Sequence, residues 1–187
     1  MQQIRIHGRG GQGVVTAAEL IAIAAFNDGH KAQAFPSFGV ERTGAPIEAF
    51  ARIDDKPIRT REHVYEPDVL IVQDATLLTT INVARGCNEK TVVIINTVKP
   101  KEKINLYLDE GQRLELPKKN IYAIDATKIA LAEIGRNIVN TVILGTFASA
   151  TKLVTLGSLK KAIEQKFAAK PEIMKKNIKA IERSYKI

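Results

Sequence analysis

The stretch IRIHGRGGQG, residues 4–13, constrains the fold of this chain most, because an apolar strand runs directly into four glycines within six residues. Gly8, Gly10 and Gly13 fit the spacing G-x-G-x-x-G. The following residues, 14–26, are apolar almost all round, which predicts a helix buried on more than one side. A strand that turns through glycines into a helix leaves backbone N–H groups at the positive end of the helix dipole. The stretch therefore predicts a strand–turn–helix unit whose turn can bind an anion.

The chemistry of this glycine turn stays open at the level of sequence. A dinucleotide-binding fold wants an acidic residue at the end of its second strand, about 20 residues on. Here that strand ends AQAFPS, residues 32–37, without a carboxylate, and the turn lacks the Lys-Ser/Thr pair of a triphosphate-binding loop. A phosphate or carboxylate site and a tight packing turn without a ligand are both compatible with the pattern. The candidate cofactor-binding residues of the turn are Gly8, Arg9, Gly10, Gly11, Gln12 and Gly13.

Strand and helix patterns alternate along the rest of the chain. The runs DVLIVQD and TVVIINT are continuously apolar at their centres, which is typical of parallel strands covered on both faces. The alternation predicts one domain over 1–187, of class α/β, with a doubly wound, Rossmann-like and mostly parallel sheet and helices on both faces. Predicted strands are 4–7, 30–35, 47–53, 68–74, 91–97 and 121–126. Predicted helices are 14–26, 77–85, 126–134, 138–153, 158–167 capped by Ser158, and a last one from Pro171; segment 98–120 is a hairpin or a long connection.

A second unusual stretch is QAFPSFGVERTGAP, residues 33–46. A loop this long without regular structure is often functional, and aromatic residues beside an arginine are typical of protein interfaces. We expect it to leave the sheet at the same rim as the glycine turn, from a neighbouring strand. Arg42 could bind a phosphate or a partner's carboxylate, or pair with Glu41 inside the chain. The candidate partner-interface residues are Phe35, Pro36, Ser37, Phe38, Gly39, Glu41 and Thr43.

Composition narrows the class of protein. The net charge is +8, but much of the excess lies in the tail, residues 170–186, where apolar residues at helical spacing place the lysines on the opposite, solvated face. The chain has no tryptophan and no aromatic cluster among its basic residues, so nucleic-acid binding is not expected. No apolar run approaches the roughly 20 residues that span a bilayer, and no export signal is visible, so a cytoplasmic protein is expected.

Two reactive residue types have ordinary interpretations. The single cysteine, Cys87, cannot form an internal disulfide or build an iron–sulfur site, so a metal centre is not expected in this chain. Nothing near Cys87 in sequence indicates an activated thiolate. His7 lies at a strand end, where it is either a ligand contact or a structural residue with satisfied nitrogens.

The motifs HGRGGQG, AQAFPSFGVERTGAPIEAF and VYEPDVLIVQD together resemble the gamma subunits of the 2-oxoacid:ferredoxin oxidoreductases. The resemblance extends through nearly the whole chain and is least distinctive in 98–120 and the tail. The loop PSFGVERTGAP is similar to that of the pyruvate and branched-chain members. The 2-oxoglutarate members tend to carry a tyrosine-glycine-proline-glutamate version of it.

The resemblance implies a subunit of an enzyme that oxidatively decarboxylates a 2-oxoacid, pyruvate above all, to acyl-coenzyme A and passes electrons to ferredoxin. It implies alpha, beta and delta partner subunits in a heterotetramer, with thiamine diphosphate and iron–sulfur clusters on those partners. No catalytic residue is then expected in this chain. No cofactor is expected to bind this chain alone, but coenzyme A is a candidate ligand of the glycine turn in the complex, with Arg42 as a candidate contact for a phosphate or a partner's carboxylate. The alternatives are a gamma subunit for branched-chain 2-oxoacids or 2-oxoglutarate, and a stand-alone Rossmann dinucleotide-binding oxidoreductase. Homodimerisation of the isolated chain, to cover Phe35 and Phe38, stays open.

Overall fold

The computed structural model describes residues 1–37, 43–107 and 114–187, which form one six-stranded sheet and five α-helices. The sheet order is β2-β3-β1-β4-β5-β6. The strands are β1 Gln2–Arg9, β2 Lys31–Pro36, β3 Pro46–Asp54, β4 Val69–Val72, β5 Val92–Asn96 and β6 Ile121–Ile124. The helices are α1 Val14–Asn27, α2 Ala126–Glu133, α3 Val142–Thr151, α4 Leu156–Lys166 and α5 Pro171–Tyr185. Among the described residues, no helix is long and apolar enough to cross a bilayer.

The predicted α/β class and the mostly parallel sheet are confirmed. Strands β1, β4, β5 and β6 pair in parallel, and β3 runs antiparallel to both of its neighbours, β1 and β2. The apolar runs that predicted doubly covered strands form β4, which is buried along its whole length, and β5, which is buried at its centre. The central strands β4 and β5 could therefore be predicted from their apolar sequences, because the hydrophobic effect requires such side chains to be buried.

The two faces of the sheet are covered differently, and this corrects the prediction of helices on both faces. Side chains from all five α-helices join Ile4, Ile6 and Ile71 in one apolar cluster on one face. On the other face, Leu70 and Val72 pack against single turns and loops that include Leu77. The helix predicted over 77–85 is only a 3-10 segment, Ala75–Thr79.

Threonine chemistry explains why that segment stays short. The hydroxyls of Thr79 and Thr80 donate to the backbone oxygen of Thr76, at 3.0 and 3.4 Å. Such bonds compete with regular helical pairing, and the β-branched residues that follow lower helix propensity further.

Helix boundaries differ from the sequence prediction at two places. Helix α3 begins at Val142 rather than 138. Helix α4 is capped by Thr155, whose side chain accepts from the amide of Ser158, so Ser158 is not the cap. Helix α5 begins at Pro171 as predicted. The connection 98–120 holds short 3-10 turns, and its residues 108–113 lie outside the described residues.

Candidate functional site

The glycine turn and the described end of the second loop meet at the carboxyl end of β1. The amide of Gly10 donates to the oxygen of Ala45 at 2.9 Å, and the amide of Gly44 donates to the oxygen of Gly10 at 3.1 Å. Thr43, which pairs with Gly10 in an isolated bridge, is exposed beside them. We predicted that the two loops leave neighbouring strands, and this is wrong, because β3 lies between β1 and β2. The loops meet because the amino end of β3 returns to the rim beside β1.

The position of the turn in the sheet favours a binding site. Chain connections diverge at β1, which has β3 on one side and β4 on the other. Ligands of open α/β sheets bind in the crevice beyond the carboxyl ends of the strands at such a point. The residues that follow β4 there, Gln73 and Asp74, were missed by the sequence analysis. Polar residues directly after a buried apolar strand were the signal that could have identified them.

Only some of the backbone amides that were predicted to bind an anion at the glycine turn lack an acceptor within the chain. The Gly10 amide bonds Ala45, and the Gln12 amide bonds the oxygen of Arg9 at 3.0 Å. Among the described residues, the Gly11 amide has no acceptor. Gly11 and Gly13 have φ angles of 90° and 71°, a left-handed conformation that glycine adopts without a steric cost. The turn therefore depends on glycine at both positions.

Arg9 is held inside the site rather than projecting as a free charge. Its Nε donates to Asp74 Oδ2 at 3.1 Å, its Nη1 to the oxygen of Gly44 at 3.0 Å, and its Nη2 to Thr76 Oγ1 at 2.7 Å. Gln12 joins this network, since its Nε2 donates to Asp74 at 3.1 Å and its Oε1 accepts from the Arg9 amide at 2.8 Å. Arg9 thus ties the glycine turn to the turn after β4.

The carboxylate of Asp74 is the centre of that network. Burial acts to raise its pKa, but hydrogen bonds from Thr76 and Gln12 and the charge of Arg9 outweigh burial and lower it. Asp74 is therefore ionised at neutral pH and neutralises Arg9. An anion that binds at this site would interact with the positive end of the α1 dipole and with free backbone amides. The charge of Arg9 would contribute less, because Asp74 already neutralises it.

The candidate interface residues are only partly placed. Phe35 is half-buried and stacks on Phe50, with ring centroids 5.2 Å apart. The guanidinium of Arg52 lies 5.0 Å from the Phe35 ring centroid, so this ring packs partly within its own chain. Pro36 ends β2, and the Ser37 amide donates to the oxygen of Glu48 at 3.0 Å. Phe38, Gly39, Glu41 and Arg42 lie outside the described residues.

His7 has unusual surroundings for a histidine at a strand end. It is 1% exposed, and neither ring nitrogen has a hydrogen-bond partner among the described residues. Burial, with a smaller contribution from the charge of Arg5, lowers the pKa of His7 from 6.5 to about 3. His7 Nδ1 lies 3.6 Å from Glu48 Oε1, but at neutral pH the ring is uncharged and no ion pair forms. Among the described residues, the His7 ring therefore lacks the hydrogen bonds that a satisfied structural histidine would have.

This environment predicts a pH-dependent stability. Between pH 6.5 and 3, His7 is protonated in the unfolded chain but stays neutral in the folded chain. The free energy of unfolding should therefore fall as the pH drops below 6.5, by about 1.4 kcal/mol per unit, and His7 should contribute no slope above it. Urea titrations at pH 7.5 and 5.0 should show a loss about 2 kcal/mol larger for wild type than for His7→Leu. Equal losses would mean that the buried ring accepts a proton.

Cys87 is a packed thiol. It is buried beside Arg5, and burial raises the pKa of its thiol. A thiol with a raised pKa is a poor nucleophile at neutral pH, which agrees with the structural interpretation made from sequence.

Comparison with known proteins places these features in a family. Residues 3–187 match the family model described as pyruvate ferredoxin/flavodoxin oxidoreductase. The chain is 52% identical to pyruvate synthase subunit PorC of Methanocaldococcus jannaschii, over 99% of this chain and 96% of that one. It is 48% identical to the pyruvate/ketoisovalerate oxidoreductases common subunit gamma of Pyrococcus abyssi, with the same coverage. The crystal structure of pyruvate oxidoreductase subunit PORC of Thermotoga maritima superposes with a TM-score of 0.81 at 38% identity, over 99% of this chain and 95% of that one.

Proposed function

Because the chain belongs to the pyruvate ferredoxin/flavodoxin oxidoreductase family, and is the gamma-type subunit of a 2-oxoacid:ferredoxin oxidoreductase, we propose that it serves pyruvate oxidation as a non-catalytic subunit. Its sister chains, of alpha, beta and delta type, would carry thiamine diphosphate and the iron–sulfur clusters. The sequence supports this division, since one buried cysteine cannot ligate a four-iron cluster. A relative that serves both pyruvate and ketoisovalerate oxidoreductases makes a branched-chain substrate the second candidate.

The docking surface that we propose is the rim formed by the glycine turn and residues 43–46. The observation that carries it is the pair of hydrogen bonds between Gly10 and the segment Gly44–Ala45, which makes two chemically unusual loops into one surface. Thr43 is exposed at its edge. Arg42 lies in the second loop but outside the described ranges. It and its neighbours there are included in the proposed surface on the basis of their sequence alone.

Coenzyme A is the ligand that we propose for the glycine turn. The first turn of α1 has no acidic residue and no side-chain cap, so its free amides and dipole are available to a phosphate. The Gly11 amide adds a donor at the same place. Bound coenzyme A would supply the thiol that accepts the acyl group. This chain would position it and exclude water from one side of the cavity.

A stand-alone dinucleotide-binding oxidoreductase is the competing function. In the dinucleotide fold, the second strand lies beside the first and ends in the acid that binds the ribose. Here β3 separates β2 from β1, and β2 ends in Pro36. The geometry therefore opposes this function independently of the glycine spacing.

Affinity purification from the native host tests the proposed function. A tagged chain is expected to carry sister polypeptides that contain thiamine diphosphate and iron–sulfur clusters. The material should reduce ferredoxin when given pyruvate and coenzyme A. A solitary, colourless chain that binds NAD would contradict the proposal.

The docking rim can be tested in the same preparation. Thr43→Arg adds a bulky charge to the rim and should reduce the recovered sister chains about tenfold, as expected for roughly 1.4 kcal/mol of interface energy. Gln165→Arg adds the same charge on the exposed surface of α4 and is the matched control. Equal recovery with both variants would place the interface elsewhere.

A further inference from the structure

A groove opens at the carboxyl ends of β5 and β6. It has a volume of about 690 Å³ and lies between residues 96–98, at the end of β5, and the first two turns of α2. Two large aliphatic side chains on its lining, Val98 and Leu131, are 81% and 53% exposed. A smaller groove of about 350 Å³ continues from it around Val98. Exposed aliphatic side chains that line a cavity indicate an interaction surface, and we refer to the two cavities together as the Val98 groove.

The walls of the Val98 groove are fixed by hydrogen bonds. Asn96 Nδ2 donates to Thr127 Oγ1 at 3.1 Å, and Asn96 Oδ1 accepts from the Thr127 amide at 3.3 Å, so the end of β5 is tied to the start of α2. The Thr97 amide donates to the last residue of β6 at 2.8 Å, and the Lys99 amide donates to Thr97 Oγ1 at 3.1 Å. These bonds hold the turn that exposes Val98. A groove that is already formed costs less to fill than one that its partner must order.

Positive charge surrounds the groove. Lys128 lines its larger part, and Lys99 and Lys101 line the smaller one. All three lysines are exposed, and within the described ranges none of them forms an ion pair, whereas three lysines on α4 and α5 pair with glutamates. Asp125 is the single carboxylate that the described lining contains, and its Oδ1 already accepts from the Lys128 amide at 2.9 Å as the cap of α2. The excess of positive charge favours a partner that carries carboxylates.

The Val98 groove lies on the same edge of the sheet as the docking rim. Asn96 Nδ2 donates to the oxygen of Gln73, whose amide donates to the oxygen of His7, so the two surfaces are connected through the ends of three neighbouring strands. With strands about 4.8 Å apart, β5 lies roughly 10 Å from β1. A typical protein interface covers about 800 Å² on each partner, which is a patch roughly 30 Å across. A sister chain that covers the docking rim would therefore also reach the groove.

We propose that the Val98 groove binds a segment of a sister subunit in which carboxylates flank an apolar side chain. The apolar side chain packs between Val98 and Leu131, and the carboxylates pair with Lys128 and Lys99. This inference rests on the proposed function and adds to it a second part of the subunit interface, with the chemistry of the partner. Because the lysines repel positive charge, the same contact selects an acidic partner.

Affinity purification of the tagged complex from the native host tests the charge requirement. Lys128→Glu should lower the recovery of sister chains about tenfold at physiological salt, because a glutamate would repel the partner's carboxylates. The variant should fold, since an acidic residue in the first turn of α2 interacts favourably with the helix dipole. Lys161→Glu is the matched control, because Lys161 is also exposed and unpaired within the described part of the chain but lies on α4. Its recovery should equal that of wild type.

The apolar requirement is tested by Leu131→Gln, which should lower the recovery of sister chains about fivefold. Glutamine is also a good helix former, but its amide disfavours burial in an apolar groove. Ile173→Gln is the control, since Ile173 is 42% exposed but lies on α5. A loss with Lys128→Glu and none with Leu131→Gln would overturn the proposed segment, because surface charge alone would then explain the result.

Carbodiimide cross-linking of the wild-type complex identifies the occupant without any variant. Mass spectrometry should find Lys128 or Lys99 joined to an aspartate or glutamate of a sister chain. Links from these lysines to a second copy of this chain, or to no sister chain, would refute the inference even if Lys128→Glu failed to fold.

The outcomes separate this inference from the proposed function. If wild type recovers no sister chains, both fail. If wild type recovers sister chains and the Lys128 and Leu131 variants recover them equally well, the proposed function stands and only the Val98 groove is excluded from the interface.

Discussion

Replacing Gly145 with valine is expected to lower the free energy of unfolding by about 3 kcal/mol or more. Gly145 is buried in α3 at the contact with α5, and a β-carbon there would overlap Ser184 Oγ and the oxygen of Ile181. Both atoms belong to fixed groups. The Ser184 hydroxyl donates to the oxygen of Val142 at 2.6 Å, so the added carbons must either break this bond or separate the two helices.

Chemical denaturation monitored by circular dichroism measures this loss. Gly157→Ala is the matched control, because Gly157 lies in α4 with only Thr155 Oγ1 near its missing β-carbon, at 3.9 Å. That control should be neutral or more stable by up to about 1 kcal/mol, since alanine is the better helix former. A valine variant as stable as the control would show that α5 does not depend on close approach to α3.

The second large effect is expected at Arg5, whose replacement by methionine should cost about 3 kcal/mol of stability. The Arg5 guanidinium is buried on the face of the sheet that no α-helix of the described residues covers. It donates to the oxygens of Val64 and Tyr65, both at 3.3 Å, to that of Val83 at 3.0 Å, and to that of Arg85. These backbone oxygens belong to two loops that cover the sheet. Removing the guanidinium would leave them without a hydrogen-bond donor.

The loss at Arg5 should also be local. Trypsin is expected to cleave Arg5→Met faster than wild type at Arg61 or Arg85, because the guanidinium fastens the backbone near both residues. Arg59→Met is the control, since Arg59 is exposed and has no side-chain partner among the described residues. A variant that is destabilised but cleaved at the wild-type rate would mean that the two loops hold without Arg5.

The extent of sequence prediction can be judged from individual elements. Helix α1 and strands β4 and β5 were located within two residues at each end, because their apolar runs have no soluble alternative to burial. The helix predicted over 77–85 is wrong. Helices are predicted from hydrophobic periodicity, and hydrogen bonds from threonine hydroxyls to the backbone do not alter that periodicity. The predicted cap of α4 is wrong because Thr155 and Ser158 are both good caps, and both hydroxyls donate to Asp28. The cap is Thr155 because its Oγ1 accepts from the amide of Ser158.

The candidate site was likewise predicted from the sequence only in part. The sequence located the glycine turn and the second loop, because left-handed backbone and long loops have compositional signatures. It could not show that Arg9 is paired with Asp74, or that Gln73 lies unpaired behind Gly8. Those residues are more than sixty positions apart in the chain.

The sequence alone therefore determined the class of fold, the strand–turn–helix unit and the family resemblance, all of which depend on residues close together in the chain. Tertiary structure alone decided the insertion of antiparallel β3 between β1 and β2, the placement of all five α-helices of the described residues on one face, and the partners of the charged and amide groups at the rim. The physical reason is that local periodicity records which side chains must be buried. Strand order and polar pairing depend on interactions between distant segments, and these become defined only when the sheet assembles.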